Sequence, residues 1–322
     1  MKAIVQEEYG PPNVLQPKEI DKPAVGDHDV LVRVQAAAVH PGDYFVLTGL
    51  PYVVRLAFGV RKPKNGVPGR DVAGTVEAVG KNVTRFQPGD EVFGWCTTGV
   101  LAEYACAEES NFARKPVNLT FEQAAAIAVS GTTALQALRD QGEVQPEQKV
   151  LIVGASGGVG TFAVQIAKAF GAEVTGVCST RNVDMVRSIG ADHVIDYTKE
   201  DFTQSGQGYD VILDNVEAHS LSECRRVLAS QGTYIPNRGT GGRWIGPLGR
   251  IAKARMVSLF VRQRLRPFLS KENTEDLFHL KEFIESGKVT PVIDRTYPLS
   301  KSAEALAYVA EGHARGKVAI SV

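Results

Sequence analysis

The sequence predicts an α/β protein with two domains, a β-rich domain followed by a doubly wound parallel sheet. Three observations support this class. The chain has 322 residues, which at roughly 150 residues per domain suggests two hydrophobic cores. Up to about Asn118, short apolar runs are broken by Gly and Pro, which is typical of β structure. After Thr120, strand-like and helix-like patterns alternate, which is typical of a parallel sheet.

Composition narrows the possible partners and compartments. The 36 basic and 36 acidic side chains cancel, and without a basic excess nucleic acid is not an expected partner. The start MKAIVQEEYG resembles no targeting signal, and no run of about 18 apolar residues follows. The four cysteines are widely spaced without a CxxC pair, which indicates reduced, core-filling thiols. We therefore expect a cytoplasmic protein without a membrane span.

Five apolar runs predict the strands of the first domain. Proline and glycine between them, as at Pro23–Asp27 and Gln87–Asp90, supply the restricted and the permissive backbone angles that turns need. The predicted strands are Lys2–Val5, Asp29–Val39, Val72–Val79, Glu91–Trp95 and Val100–Ala107.

The second domain begins with a helix signal, because Thr120 and Gln123 form a capping box ahead of an alanine-rich stretch through Leu138. A strand, a glycine-rich turn, a helix and a second strand then follow within about 30 residues. Ser220 and Glu223 predict a later helix cap. The ranges are Val150–Val153, Val159–Phe170, Glu173–Cys178, His193–Ile195, Val211–Leu213 and Gly232–Ile235. Alternating strands and helices predict a parallel, doubly wound sheet.

The glycine-rich turn is the strongest chemical signal. It places Gly154, Gly157 and Gly160 directly after a buried strand and before a helix. The first glycine allows the tight turn, the second lets backbone approach a pyrophosphate, and the third allows close helix packing. Ser156, Gly158 and Val159 complete the predicted phosphate contacts, since a helix start offers unpaired amides. The alternative is a glycine turn that binds no ligand.

The end of the next strand distinguishes between the two nicotinamide cofactors. An acidic residue there would accept the hydroxyls of an unphosphorylated ribose, but the sequence is Ser179-Thr180-Arg181. Hydroxyls and a guanidinium suit a 2′-phosphate, which Arg can bind through two hydrogen bonds. The sequence therefore favours NADPH over NADH, the alternative for Arg181 being an exposed residue at a helix start.

Residues Arg225–Ser270 include ten basic side chains and no acidic one. One interpretation is a solvated or oligomer-facing surface whose charge is balanced by acids elsewhere in the chain. The other is a peripheral contact with an anionic membrane surface or an acidic partner.

Motifs along the whole chain resemble the medium-chain dehydrogenase/reductase superfamily, and more narrowly its zinc-independent quinone oxidoreductase branch. The resemblance rests on residues 39–43 (VHPGD), 68–74 (PGRDVAG), 129–134 (VSGTTA), 154–160 (GASGGVG), 190–197 (GADHVIDY) and 316–318 (GKV). It implies a GroES-like β-barrel catalytic domain at residues 1–119, a Rossmann NADPH-binding domain at 120–270, and a C-terminal segment, 271–322, that returns to the barrel. It further implies a homodimer.

The resemblance also implies further contacts with the cofactor. These are Thr133 near the nicotinamide, Tyr197 beside the adenosine phosphate, Asn215 and Asn237 after later strands, and Lys317 near the cleft. Asn215 and Asn237 also fit on topology, because ligands of such sheets bind outside the carboxyl ends of the strands. Lys317 is alternatively a surface cation.

Zinc-dependent members of the superfamily carry metal ligands where this chain has Val39, Arg70 and a cysteine-free run around Ser130. Catalytic zinc needs about three converging N, S or O ligands. The sequence therefore predicts an enzyme that uses no metal.

Without metal, reduction of a quinone or an α,β-unsaturated carbonyl needs a donor to the developing oxyanion. The resemblance implies four candidates in loops that face the cleft. Each has a structural alternative: His40 as a turn residue, Asp43 as a helix cap, Tyr44 as a packed aromatic and Arg70 as an ion-pair partner.

The implied activity is an NADPH-dependent reductase of a small electrophile. The alternative is a non-catalytic, NADPH-binding redox sensor or partner-binding protein. Loops 47–66 and 238–250 are expected to set the substrate.

Overall fold

The computed structural model describes residues 1–237, 244, 246, 248–258 and 260–322. The predicted specificity loop 238–250 thus falls largely outside the described residues. The chain forms two compact units. The first contains Met1–Thr132, Glu272–Ser286 and Pro291–Val322, and the second contains Thr133–Lys271 and Gly287–Thr290.

The strands and helices are as follows. The strands are β1 (Lys2–Val5), β2 (Gln16–Glu19), β3 (Asp29–Val39), β4 (Asp71–Val79), β5 (Glu91–Trp95), β6 (Tyr104–Glu108), β7 (Phe112–Arg114), β8 (Lys149–Val153), β9 (Glu173–Cys178), β10 (His193–Asp196), β11 (Tyr209–Asp214), β12 (Leu228–Pro236), β13 (Arg264–Leu265), β14 (Ile293–Pro298) and β15 (Lys317–Ser321). The helices are α1 (Pro41–Thr48), α2 (Val54–Phe58), α3 (Phe121–Ala125), α4 (Ala128–Gln136), α5 (Gly158–Ala169), α6 (Val183–Ser188), α7 (Leu221–Arg226), α8 (Leu248–Ser258), α9 (Thr274–Glu285) and α10 (Ser302–Ala310).

The first unit is built on a seven-stranded sheet with the order β14-β15-β3-β4-β5-β7, and β6 also pairs with β3. The last strand, β15, runs antiparallel to β3 with Val318 opposite Val39. The C-terminal segment therefore returns to the first unit. Inward-facing residues of the central strands form its core, and Val30, Val32, Val72 and Val92 have no exposed surface. The GroES-like fold expected from the resemblance is confirmed.

The second unit contains a six-stranded sheet with the order β10-β9-β8-β11-β12-β13. Every neighbouring pair is parallel, so the predicted doubly wound sheet is confirmed. Leu151 and Ile212 on the central strands are fully buried, as expected of strands covered on both faces. The strand order reverses between β8 and β11, and ligands of such sheets bind at this point, outside the carboxyl ends of the strands.

The boundary between the units differs from the sequence estimate. We expected the first domain to end at residue 119, whereas the compact first unit continues to Thr132. Residues 120–132 belong there because α3 packs against β3 and β4. The capping box of Thr120 and Gln123 is formed, with the Gln123 amide N–H donating to the Thr120 hydroxyl.

Two predicted elements are wrong in extent. The helix expected from Thr120 to Leu138 is divided into α3, α4 and a π-helical turn at Ala137–Gln141. The division has a tertiary cause, because a carboxylate oxygen of Asp71 accepts the Val129 amide at the start of α4 at 2.8 Å. The strand expected at Val100–Ala107 begins only at Tyr104. Val100 and Leu101 instead donate their amides to the Pro68 carbonyl at 3.1 Å.

The cysteines behave as predicted. All four are free thiols and buried, and burial raises the pKa of Cys106 and of Cys178 to about 11. Thiols held protonated in this way are poor nucleophiles. Among the described residues, no helix combines the length and the apolar character required to cross a bilayer.

Candidate active site

The glycine turn after β8 has the geometry of a phosphate cradle. Gly154 has φ +75°, which favours glycine. A Cβ atom on Gly160 would lie 2.1 Å from the Gly154 carbonyl oxygen, so the third glycine allows α5 to approach the turn. A Cβ on Gly157 would meet only that oxygen, at 3.5 Å. The protein itself does not require glycine at position 157, which is consistent with space kept for a ligand.

The start of α5 supplies donors to this cradle. Its N-cap is Gly157, which has extended backbone and no side chain to cap the helix. The first helical hydrogen bond runs from the Thr161 amide to the Gly157 carbonyl. The amides ahead of Thr161, including those of Gly158 and Val159, therefore have no acceptor within the helix, as at any helix start. Together with the positive end of the helix dipole they suit a pyrophosphate.

The hydroxyls predicted to bind the 2′-phosphate differ in their partners. The Thr180 hydroxyl donates to Asp196 at 2.6 Å, so its proton is used within the protein. Ser179 is half-buried at the end of β9, and Arg181 is exposed in the 3₁₀ helix that follows. Sequence reasoning missed Asp196, although its position as the last residue of β10 at the same sheet edge would have indicated it. The hydroxyls of Thr180 and Thr198 and the nearby Lys199 lower the pKa of Asp196.

Two predicted asparagines meet at the carboxyl ends of the central strands. Asn215 donates its amide Nδ2 to the Val153 carbonyl at 3.1 Å, and Asn237 donates to the Asn215 side-chain oxygen at 2.7 Å. These bonds join the ends of β8, β11 and β12 beside the glycine turn. Tyr197 is 59% exposed. The Thr133 hydroxyl is 2.9 Å from that of Ser270.

In the first unit, His40 and Asp43 form a reciprocal cap at the start of α1. His40 Nδ1 accepts the Gly42 amide at 3.0 Å, and the Asp43 carboxylate accepts the His40 amide at 2.9 Å. The structural alternatives for both residues are therefore realised. Because Nδ1 is an acceptor, a neutral imidazole carries its proton on Nε2. That Nε2 is buried without a hydrogen-bond partner among the described residues. Burial raises the pKa of Asp43.

The other two catalytic candidates lie in different settings. Tyr44 is half-buried on α1. Its hydroxyl has no hydrogen bond to another part of the described chain. The Arg70 guanidinium lies 3.0 Å from a Glu272 carboxylate oxygen, so the ion-pair alternative for Arg70 is realised.

Lys317 is 2% exposed, so its alternative as a surface cation is wrong. Its ammonium lies 2.7 Å from the Asp71 carboxylate and 3.2 Å from the Ser130 hydroxyl. Asp71 is fully buried, and its other oxygen accepts the Val129 amide. This buried network joins β4, β15 and α4. Sequence reasoning missed Asp71 and Ser130, although both lie in motifs that carry the resemblance.

Comparisons with known proteins agree with this arrangement. Residues 26–117 match the family model "Alcohol dehydrogenase GroES-like domain", and residues 189–320 match "Zinc-binding dehydrogenase". A spinach protein, "Quinone-oxidoreductase homolog, chloroplastic", is 32% identical over 99% of this chain and 98% of its own length. This chain belongs to the medium-chain dehydrogenase/reductase superfamily. Within the superfamily it is quinone oxidoreductase-like.

Two further proteins extend the comparison. The Arabidopsis thaliana "NADPH-dependent alkenal/one oxidoreductase, chloroplastic" is 34% identical, covering 99% of this chain and 79% of that protein. The quinone oxidoreductase structure from Coxiella burnetii has a TM-score of 0.87 at 30% identity, covering 100% of this chain and 99% of that one. The superfamily depends on nicotinamide dinucleotides, and the glycine turn and the α5 start are the parts of this chain that fit such a group.

At two positions where the resemblance implies zinc ligands in metal-dependent members, this chain has Val39 and Arg70, and Arg70 is paired with Glu272. Over the residues that the structure describes, no three His, Cys, Asp or Glu side chains are arranged to hold a metal ion.

Proposed function

We propose that this chain is an NADPH-dependent reductase of quinones or α,β-unsaturated carbonyls that uses no zinc and acts in the cytoplasm. The observation that carries the proposal is the start of α5 at Gly157. No side chain caps the helix there, and a Cβ atom at Gly157 would clash with no part of the protein. Relatives named as a quinone oxidoreductase homolog and as an alkenal/one oxidoreductase support the substrate class.

The residues of the chain contribute binding, orientation and charge stabilisation. The bound cofactor would supply the hydride from nicotinamide C4. Reduction of a conjugated carbonyl places negative charge on an oxygen, which a donor about 3 Å away stabilises. In the first unit, the Nε2–H of His40, which lies 3.5 Å from an Asp43 carboxylate oxygen, and the hydroxyl of Tyr44 are the candidate side-chain donors to this oxygen. Water supplies the final proton.

The test is a panel assay that follows NADPH absorbance with quinones, enals, enones and simple aldehydes. We expect turnover with quinones or conjugated carbonyls and little with saturated aldehydes.

Turnover should persist in a strong chelator, because Val39 and Arg70 replace metal ligands. Activity that disappears on chelation and returns with zinc would contradict the metal-free mechanism. NADPH binding without turnover of any acceptor would favour the redox-sensing or partner-binding alternative.

Replacing Arg181 with Ala should weaken NADPH binding and leave NADH binding almost unchanged. A charge-assisted hydrogen bond contributes roughly 1.5 to 3 kcal/mol, or about one to two decades in Kd. Asp196 favours the opposite result, because a carboxylate at this edge of the sheet can accept the ribose hydroxyls of NADH. Calorimetry with both cofactors gives the Kd values, and Arg187→Ala on the exposed face of α6 is a matched control. Equal Kd values for NADPH and NADH in the wild-type chain would remove the assignment.

The basic segment 225–270 is partly neutralised. Arg264 and Arg266 both pair with Glu143, at 2.8 and 2.7 Å. Three further arginines of the segment, Arg225, Arg226 and Arg262, line a groove, and among the described residues none of the three pairs with a carboxylate. The groove is lined by Ser222, Arg225, Arg226, Ser230, Phe260, Val261, Arg262 and Gln263.

We propose that the exposed apolar side chains Phe260 and Met256, rather than the arginines of the groove, join two copies of the chain in a homodimer, since Phe260 is 86% and Met256 64% exposed. A large exposed apolar side chain beside an edge strand is a typical contact surface. Light scattering tests the dimer. Sedimentation with anionic and with neutral vesicles tests the peripheral membrane contact.

A further inference from the structure

Asn182 connects the two parts of the proposed cofactor site. It is the last residue of the 3₁₀ helix that follows β9, and it is 4% exposed. Its side-chain Nδ2 donates to the Ser156 hydroxyl oxygen at 3.0 Å and to the Ser179 hydroxyl oxygen at 3.2 Å. Ser156 belongs to the glycine turn, and Ser179 begins the segment predicted to bind the 2′-phosphate. One buried amide therefore bridges both.

The direction of these bonds determines what the serines can do. A serine oxygen that accepts an N–H keeps its own hydroxyl proton available for another acceptor. Ser156 and Ser179 are both half-buried rather than enclosed, so each can present that proton to a ligand. With the amide in the opposite orientation, its oxygen would accept both hydroxyl protons. Phosphate oxygens carry no hydrogen atoms and require donors.

The local packing does not explain why an asparagine is present. The Oδ1 atom of Asn182 is buried and has no hydrogen-bond partner among the described residues. A buried acceptor without a partner lowers stability, whereas an apolar side chain of similar size avoids that penalty. The side chain also makes no capping bond to α6, although Asn182 is the N-cap residue. The contacts that remain are those with the two serines.

We propose that Asn182 is a positioning residue for NADPH. By donating to both hydroxyl oxygens, it orients the Ser156 hydroxyl to donate to the pyrophosphate and the Ser179 hydroxyl to donate to the 2′-phosphate. This inference rests on the proposed cofactor, and it adds a residue that touches neither phosphate. It predicts that a change at position 182 weakens both ends of the site together.

Two fragments of the cofactor separate the two ends. Adenosine 2′-monophosphate probes the Ser179 end, and ADP probes the Ser156 end. In Asn182→Leu we expect the Kd for each fragment, measured by calorimetry, to rise about tenfold. The melting temperature of the ligand-free variant should stay equal or rise, because the buried, unpartnered oxygen is gone. A residue with only a structural role would instead lower the melting temperature.

A double-mutant cycle tests whether Asn182 acts through the serines. Ser179→Ala should weaken only the 2′-monophosphate, and Ser156→Ala only ADP. In the Asn182→Leu background each serine substitution should add less than twofold, because the orienting partner is already absent. Ser188→Ala, on α6 with its hydroxyl bonded to the Met185 carbonyl, is the matched control and should change neither Kd.

Asn182→Asp keeps the shape and reverses the hydrogen bonds, since an ionised carboxylate only accepts. We expect its affinity for both fragments to fall at least a hundredfold at pH 8, more than in Asn182→Leu. Fully additive effects in the cycle, or unchanged Kd values in Asn182→Leu, would overturn the inference while the cofactor assignment stands. A wild-type chain that binds neither fragment would overturn both. Reductase activity does not enter these measurements.

Discussion

Replacing Lys317 with Met is expected to destabilise the first unit by about 3 to 5 kcal/mol. The substitution leaves the fully buried Asp71 carboxylate without its cation, and removing one partner of a buried pair has this order of effect. For a unit of this size the change corresponds to a fall of about 6 to 20 °C in Tm. Differential scanning calorimetry measures it directly.

Two controls separate charge from packing at Lys317. Lys317→Arg keeps the charge and should lose less stability than Lys317→Met. The double variant Asp71→Asn, Lys317→Met should also be more stable than Lys317→Met, because no buried charge remains and the new amide oxygen at position 71 can still accept the Val129 N–H. If the double variant is instead the least stable of the three, the ion pair is not the source of the effect.

Replacing His40 with Ala should lower turnover by at most about a thousandfold while NADPH affinity stays nearly constant, and Tyr44→Phe should behave alike. Loss of one donor to an oxyanion typically costs about 2.7 to 4 kcal/mol, or 10² to 10³ in rate. Backbone amides and water still donate to the oxyanion when one of these side chains is replaced, and the substrate is already electrophilic. Steady-state kcat with the best acceptor of the panel measures the change.

The cap at the start of α1 requires a second variant at position 40. His40→Ala also removes the acceptor for the Gly42 amide, a loss of about 0.5 to 2 kcal/mol in stability. Asn is a favourable N-cap residue, so His40→Asn keeps the cap and removes the Nε2–H. Full activity in His40→Asn would assign His40 a capping role only. A variant that is folded, binds NADPH and has no activity would reveal an obligatory proton donor.

The glycine turn and the strands around it were predictable because their determinants lie close together in the sequence. Gly154, Gly157 and Gly160 follow one strand and open one helix, and local backbone geometry explains two of the three glycines. The capping boxes at Thr120 and Ser220 are equally local, and both are formed. The parallel order of the second sheet followed from the alternation of strands and helices.

Other features depended on groups remote in the chain. Val100 and Leu101 are apolar and buried like strand residues, yet a carbonyl about 30 positions earlier holds them out of β6. The predicted helix after Thr120 is divided where Asp71 accepts the Val129 amide. Neither partner can be recognised from the pattern around the residues it affects.

The sequence by itself determined the two-domain class, the parallel sheet, the nucleotide turn and the family, because periodicity, turn chemistry and motif spacing are local properties. Only the tertiary structure decided which side chains act together. Lys317 and Asp71 are 246 positions apart and meet because β15 and β4 both pair with β3. Asn182 reaches Ser156 because β8 and β9 are neighbours. Burial and hydrogen-bond partners are properties of strand pairing and packing, and pairing joins residues that no local pattern connects.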